Sequence, residues 1–81
     1  MKTSKEYNGY KNYNYWNISL YINNDQNLYD LAIISINKHN NVKLATLVFI
    51  DNLNSCYTPD GVLWTKAGVY SALLSLKKDS I

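Results

Sequence analysis

An all-α fold, a small single-domain bundle of about four helices, is what this chain predicts. Three observations carry the prediction. Apolar residues recur at helical spacing in several segments, Asn, Asp and Thr stand where helices should start, and one compact turn, Thr58-Pro59-Asp60-Gly61, interrupts the pattern late in the chain. The 81 residues leave room for one domain, read as a polar N-terminal arm over residues 1–11 and a single helical domain over 12–81. A chain of this length buries only roughly 60–65% of the surface its unfolded form exposes, so its core must be dense in large side chains or be completed by a partner. A hydrophobic content of 47%, with eight Tyr, two Trp and one Phe, meets that need.

The first helix is read near Tyr13 to Asn23. Tyr13, Trp16 and Leu20 share one face there, and Ile18, Tyr21 and Ile22 widen it. Asn12 or Asn14 is its N-cap. Asn23, Asn24 and Asp25 stop it, because short polar side chains bond their own backbone at turns and helix starts, and Asp25 then caps a second helix carrying Leu28, Leu31, Ala32 and Ile36. Lys38-His39-Asn40-Asn41 contains no apolar member and reads as a loop. The segment from Val42 to Cys56 is ambiguous: Leu44, Leu47, Val48 and Leu53 permit a helix, whereas Leu47-Val48-Phe49-Ile50 would also suit a strand. The alternative to the bundle is therefore an α+β fold with a hairpin formed by residues 32–50. Thr58-Pro59-Asp60-Gly61 is a turn, since Pro presets φ and Asp-Gly supplies a side-chain bond and a left-handed position. Val62, Leu63 and Trp64 follow as a short extended clip. Thr65 then caps a last helix with Val69, Leu73 and Leu76 on one face and Lys77 and Lys78 in its final turn, where the helix dipole favours cations. The expected core is Trp16, Leu20, Leu28, Leu31, Leu47, Leu53, Trp64, Val69 and Leu73.

The inventory of reactive groups argues against an enzyme. Cys56 is the one thiol and His39 the one imidazole, in different segments, so neither a nucleophile–base pair nor a metal cluster has recognisable spacing. Asp25 and Asp30 stand five residues apart and rotate away from each other on a helix; Asp60 is a turn residue, and Asp30 and Asp51 sit on exposed faces. No catalytic residue, metal ligand or cofactor site is expected. A single cysteine allows no internal disulfide, and no apolar run approaches the ~18 residues of a membrane span, so the expected location is the cytoplasm, with no membrane partner.

The formal charge is +2 and all eight basic residues are Lys. The absence of Arg and the modest charge disfavour nucleic acid as a partner. The arm keeps that reading open, because Lys2, Lys5 and Lys11 alternate with Tyr7, Tyr10, Tyr13 and Tyr15, a pattern that could stack single-stranded bases. Eight tyrosines on so small a domain exceed what it can bury, and exposed Tyr supplies protein-binding hot spots. The candidate partner-binding residues are accordingly Tyr7, Tyr10, Lys11, Tyr15, Tyr21 and Tyr29, with a homodimer as one possible user of that surface.

Two segments carry a resemblance. Asn12-Tyr13 with Trp16-Asn17-Ile18-Ser19-Leu20-Tyr21-Ile22-Asn23-Asn24-Asp25, and later Thr58-Pro59-Asp60-Gly61-Val62 with Trp64, resemble a family of small bacteriophage and prophage proteins of unassigned function. Members of that family typically open on Asn-Tyr-Glu-Thr-Trp-Asn and carry Thr-Pro-Asp-Gly-Val-x-Trp near the end. This chain departs at Asn14 and Tyr15, which replace Glu and Thr, at Tyr21, which replaces a frequent Trp, and at Gln26, which replaces a frequent Glu. The match leaves Ala32 to Cys56 unanchored. The resemblance implies a mostly helical fold and a phage context. That context implies a non-enzymatic protein that binds and inhibits a host bacterial protein, foremost a defence nuclease such as a CRISPR effector. The alternatives are an accessory protein that binds single-stranded nucleic acid and a homo-oligomeric component of phage assembly.

Overall fold

The computed structural model describes residues 12–80, which form α1 (Tyr13–Asn24), α2 (Gln26–Lys38), α3 (Val42–Asp51) and α4 (Lys66–Ser80). The fold is an all-α bundle, and the described residues contain no strand, only an isolated bridge between Tyr57 and Leu63. The 32–50 hairpin is therefore replaced by α2, a short loop and α3. A helix wins over the β-branched run because Asn41 caps it: its Oδ1 accepts from the backbone N–H of Lys43 (2.8 Å) and Leu44 (3.3 Å). The other starts are held as expected, with Asn12 Oδ1 accepting from Tyr15 N, Asp25 Oδ1 from Leu28 N, and Thr65 Oγ1 from Gly68 N, each at 3.1 Å. Among the described residues no helix is long and apolar enough to cross a membrane.

Helix α4 is the hub, packing against α1 and α3 and more lightly against α2. Its buried positions Val69, Ala72, Leu73 and Leu76 follow i, i+3, i+4, i+7, the stripe of a helix facing a core. They meet Ile18 and Ile22 of α1, Ala32 of α2, Ala45 and Phe49 of α3, and Val62 and Trp64 from the connection. Phe49, fully buried, meets Trp64 edge-on, with ring centroids 6.1 Å apart and an interplanar angle of 67°. In the extended clip Val62 and Trp64 turn inward while Leu63 faces out, the period-two alternation of extended chain.

Three expectations for the core need correction. Trp16 and Leu20 are only half-buried and lie outside the central cluster, because α1 turns a different face inward. At about 100° per residue each stands about 200° around the helix from Ile18, which is fully buried. Leu47 is 48% exposed, on the outer side of α3 from Ala45 and Phe49. Leu28, Leu31 and Leu53 pack against the cluster as half-buried neighbours, and Trp64, Val69 and Leu73 are buried as expected.

Gly68 lies against the buried face of α1. A Cβ at this position would stand 2.5 Å from Ile18 Cδ1 and 3.0 Å from Thr65 Oγ1, so a larger residue would require the end methyl of Ile18 to move. Gly68→Ala gains about 1 kcal/mol of helix propensity and loses roughly 1–3 kcal/mol to overpacking, for an expected net loss of about 1 kcal/mol. Ile18→Val removes the clashing methyl. It is expected to cost about 1 kcal/mol in the natural chain and close to nothing beside Gly68→Ala. Urea unfolding of the four variants measures that coupling; strictly additive losses would show that α4 yields instead.

Candidate functional site

The connection between α3 and α4 is fastened to α1 by a polar cluster. The Thr58 carbonyl accepts from Gly61 N at 2.8 Å, the Val62 carbonyl accepts from Thr58 N at 2.7 Å, and Gly61 takes φ +86°, a left-handed value that glycine adopts without strain. This tight loop points Thr58 and Asp60 back at α1. There Asn17, fully buried, uses both ends of its amide. Its Nδ2 donates to Asp60 Oδ2 at 2.7 Å and more weakly to the Tyr13 hydroxyl at 3.4 Å, while its Oδ1 accepts from Thr58 Oγ1 at 2.7 Å. Thr58 Oγ1 in turn accepts from the backbone N–H of Val62 at 3.1 Å.

Tyr21, one turn along α1, belongs to the same cluster. Partial burial, then hydrogen bonding to Asp60 and the charge of that carboxylate, with Tyr13 contributing least, raise its phenol above the ordinary 10.0. The folded state thus holds the Tyr21 proton more tightly than the unfolded chain does. Stability from this contact is fully present below about pH 10 and is lost as the pH rises through the raised folded value. Between about pH 9 and 11 the urea midpoint of the natural protein is expected to fall more steeply than that of Tyr21→Phe. Parallel curves would remove Tyr21 from the cluster.

The second arrangement is a face on the outer side of α3 and α4. These helices run antiparallel: Lys77 Nζ near the end of α4 donates to the Asn40 carbonyl before α3 at 3.2 Å, and Lys66 at the start of α4 lies beside Ile50 and Asp51. Between them runs an open groove of about 400 Å³ lined by Lys43, Thr46, Leu47, Lys66, Ala67 and Tyr70. Leu47, 48% exposed, stands on its α3 side; Leu44, 47% exposed, lies one turn before Leu47 on α3 and outside the groove lining, and Leu74, 37% exposed, lies one turn beyond Tyr70 on α4, also outside it. A second groove shares Leu47 and Lys66 and continues to Val48, Ile50 and Asp51. Scattered exposed leucines are ordinary on a protein surface, but Leu47 lines both grooves together with Ala67 and Tyr70 in the first and Val48 and Ile50 in the second, so the apolar surface continues from one to the other.

The pattern of one protein family, described as a family of unknown function (DUF7249), matches residues 3–80. The chain belongs to that family. No curated protein and no solved structure matches it.

In this DUF7249 chain the two segments singled out in the sequence meet. Asn17 of the Trp-Asn pair binds Thr58 and Asp60 of the Thr-Pro-Asp-Gly turn, so the spacing of the two segments records a contact. Of the candidate partner-binding residues, Tyr15 is half-buried, and Tyr21 and Tyr29 are half-buried against the core. Tyr7, Tyr10 and Lys11 lie outside the described residues. Tyrosines with more exposed surface are Tyr13 (43%) and Tyr57 (55%). His39 ends α2, Cys56 is exposed in the connection, and the described residues include no group of three or more His, Cys, Asp or Glu arranged to hold a metal. The sequence does not single out this face, because Leu47 fits the apolar periodicity of a core position. The available signal was the small residues Ala45 and Thr46, whose side chains a neighbouring helix can cover closely and which are buried here.

Proposed function

We propose that this protein works by stoichiometric binding to a protein of a bacterial host, blocking it without chemistry of its own, and that the target is a defence nuclease of the CRISPR-effector kind. The observation that carries the binding reading is the leucine face of α3. Leu44 and Leu47 spend nearly half their surface on water, and Leu47 lines a groove wide enough to take side chains from another protein. The choice of target class rests on the resemblance to phage proteins. Relative to the sequence-based expectation, the contact moves from Tyr15, Tyr21 and Tyr29, which are partly committed to the fold, to α3 and α4.

Light scattering of the purified protein, alone and with a panel of purified host nucleases including CRISPR effectors, tests this reading alongside cleavage assays. A complex of defined stoichiometry with one nuclease, accompanied by loss of its cleavage, is the expected result. A protein that leaves the mass and activity of every nuclease unchanged overturns it. A stable homo-oligomer under those conditions would favour an assembly role.

A further inference from the structure

We infer that the segment seated on the α3–α4 face is an acidic amphipathic helix of the partner protein, with its apolar stripe against Leu47, Ala67 and Tyr70 and its carboxylates paired with Lys43 and Lys66. The inference rests on the binding-protein reading above and specifies the chemistry of its contact.

Charge decides the occupant. The groove carries Lys43 and Lys66 and no acid, and Asp51 joins only at the far end of the continuing groove. Lys43 in the first turn of α3 and Lys66 at the start of the antiparallel α4 both line the groove, so a cation stands toward each end of the apolar floor. A second copy of this chain is a poor occupant, because a two-fold contact would set these lysines against their own counterparts on a chain of net charge +2. The chain's own arm is no better: residues 1–11 carry Lys2, Lys5 and Lys11 against Glu6, a net of 3 − 1 = +2. Phosphates would satisfy the lysines. They would leave Leu47 and Ala67 facing a charged backbone, however, with only half-buried Tyr70 as a stacking surface. An acidic helix satisfies both parts of the face at once, with leucine-like anchors at i, i+3, i+4 and i+7 and carboxylates on the flanks. The groove and its leucines span about two to three helical turns, or roughly 11–16 Å, which suits such a segment.

The test uses nuclear magnetic resonance on the full isotopically labelled chain with three probes. The first is a leucine-striped peptide of about 16 residues, roughly 24 Å as a helix, with glutamates on its flanks; the second is its lysine-flanked twin; the third is a single-stranded oligothymidylate. The acidic peptide is expected to shift the amides of α3 and of the first two turns of α4. Its affinity should weaken at least about five-fold as salt rises from about 50 to about 300 mM, and about ten-fold in the Lys43→Glu/Lys66→Glu variant. Leu47→Asp, at an exposed position, should keep the melting temperature and lose binding. The lysine-flanked peptide should not bind. Equal binding of both peptides, tighter binding of the oligothymidylate to this face, shifts on another surface, or no shift at about 1 mM acidic peptide each overturns the inference. So does a homodimer dissolved by Leu47→Asp. Failure of this contact is separable from failure of the proposed function. A nuclease complex that survives Leu47→Asp leaves the function and removes the contact, whereas an acidic peptide that binds while no nuclease does leaves the contact and removes the target class.

Discussion

Asn17→Asp is expected to destabilise the fold by on the order of 3 kcal/mol at pH 7, and by clearly less near pH 4. The natural amide is buried and fully engaged, giving its protons to Asp60 and Tyr13 and receiving one from Thr58. A carboxylate in its place can still accept from Thr58. It loses both donors and sets a negative charge where 2.7 Å now separates Nδ2 from Asp60 Oδ2. Two carboxylates that close share a proton, so the pair's upper pKa is raised in the folded state above the unfolded value of roughly 4. A raised folded value means stability is present below the unfolded pKa and lost as the pH rises through the folded one, so the variant should recover on acidification relative to the natural protein. A domain of 81 residues has only about 4–12 kcal/mol in all. The loss at neutral pH should lower the melting temperature by more than about 10 °C. Asn17→Ala separates the two effects: it should cost roughly 2 kcal/mol, chiefly by stranding the buried Thr58 hydroxyl, with no pH-dependent recovery. Thermal melts of the three proteins at pH 4 and pH 7 check this. An Asn17→Asp deficit that does not change with pH would mean Asp60 turns away into water.

Phe49→Ala should be the most damaging single truncation, at about 3–5 kcal/mol. Phe49 heads the fully buried side chains by volume, and its ring meets the indole of Trp64 edge-on, so its removal costs transfer energy, the cavity and the aromatic contact together. It also joins α3 to the clip that leads into α4. Its loss should loosen that connection, moving Trp64 toward water and its emission toward the red before the helices melt. Phe49→Leu, which keeps most of the volume, should cost less than half as much. Urea unfolding followed by tryptophan emission and by far-ultraviolet circular dichroism reads both quantities. Coincident, small shifts for the two variants would show that the core closes over the gap.

Both sites show where reading the sequence stops. Asp25 and Thr65 were legible as caps because a cap is a bond across three residues, closed by local backbone geometry. Asn41 does the same work for α3 and was read as loop, because four polar residues in a row hid which of them begins the helix. The contact of Asn17 with Thr58 and Asp60 is not legible in the sequence. Asn17 is 41 residues from Thr58 and 43 from Asp60, and a polar residue within an apolar helix gives no sign of its distant partner. The residue types of Thr58-Pro59-Asp60-Gly61 locate a turn, yet they give its side chains no role beyond that turn.

Although residues 32–50 fit either helices or a hairpin, the sequence by itself determined three things: the helices α1 and α4, the turn with its left-handed Gly61, and the Val69, Leu73 and Leu76 stripe of α4. All of these follow from interactions within a few residues. Which face of α1 and α3 points inward was decided only by the tertiary structure. Helix α1 is apolar on several sides, and the side that carries Ile18, packed on α4 with Gly68 fifty positions away against it, is buried in place of the side that carries Trp16 and Leu20. Helix α3 is apolar nearly all round, and the partner of Phe49, Trp64, draws that ring inward and leaves Leu44 and Leu47 outside. Where a helix has more apolar faces than the core can cover, periodicity cannot rank them, and the close packing of its neighbours does.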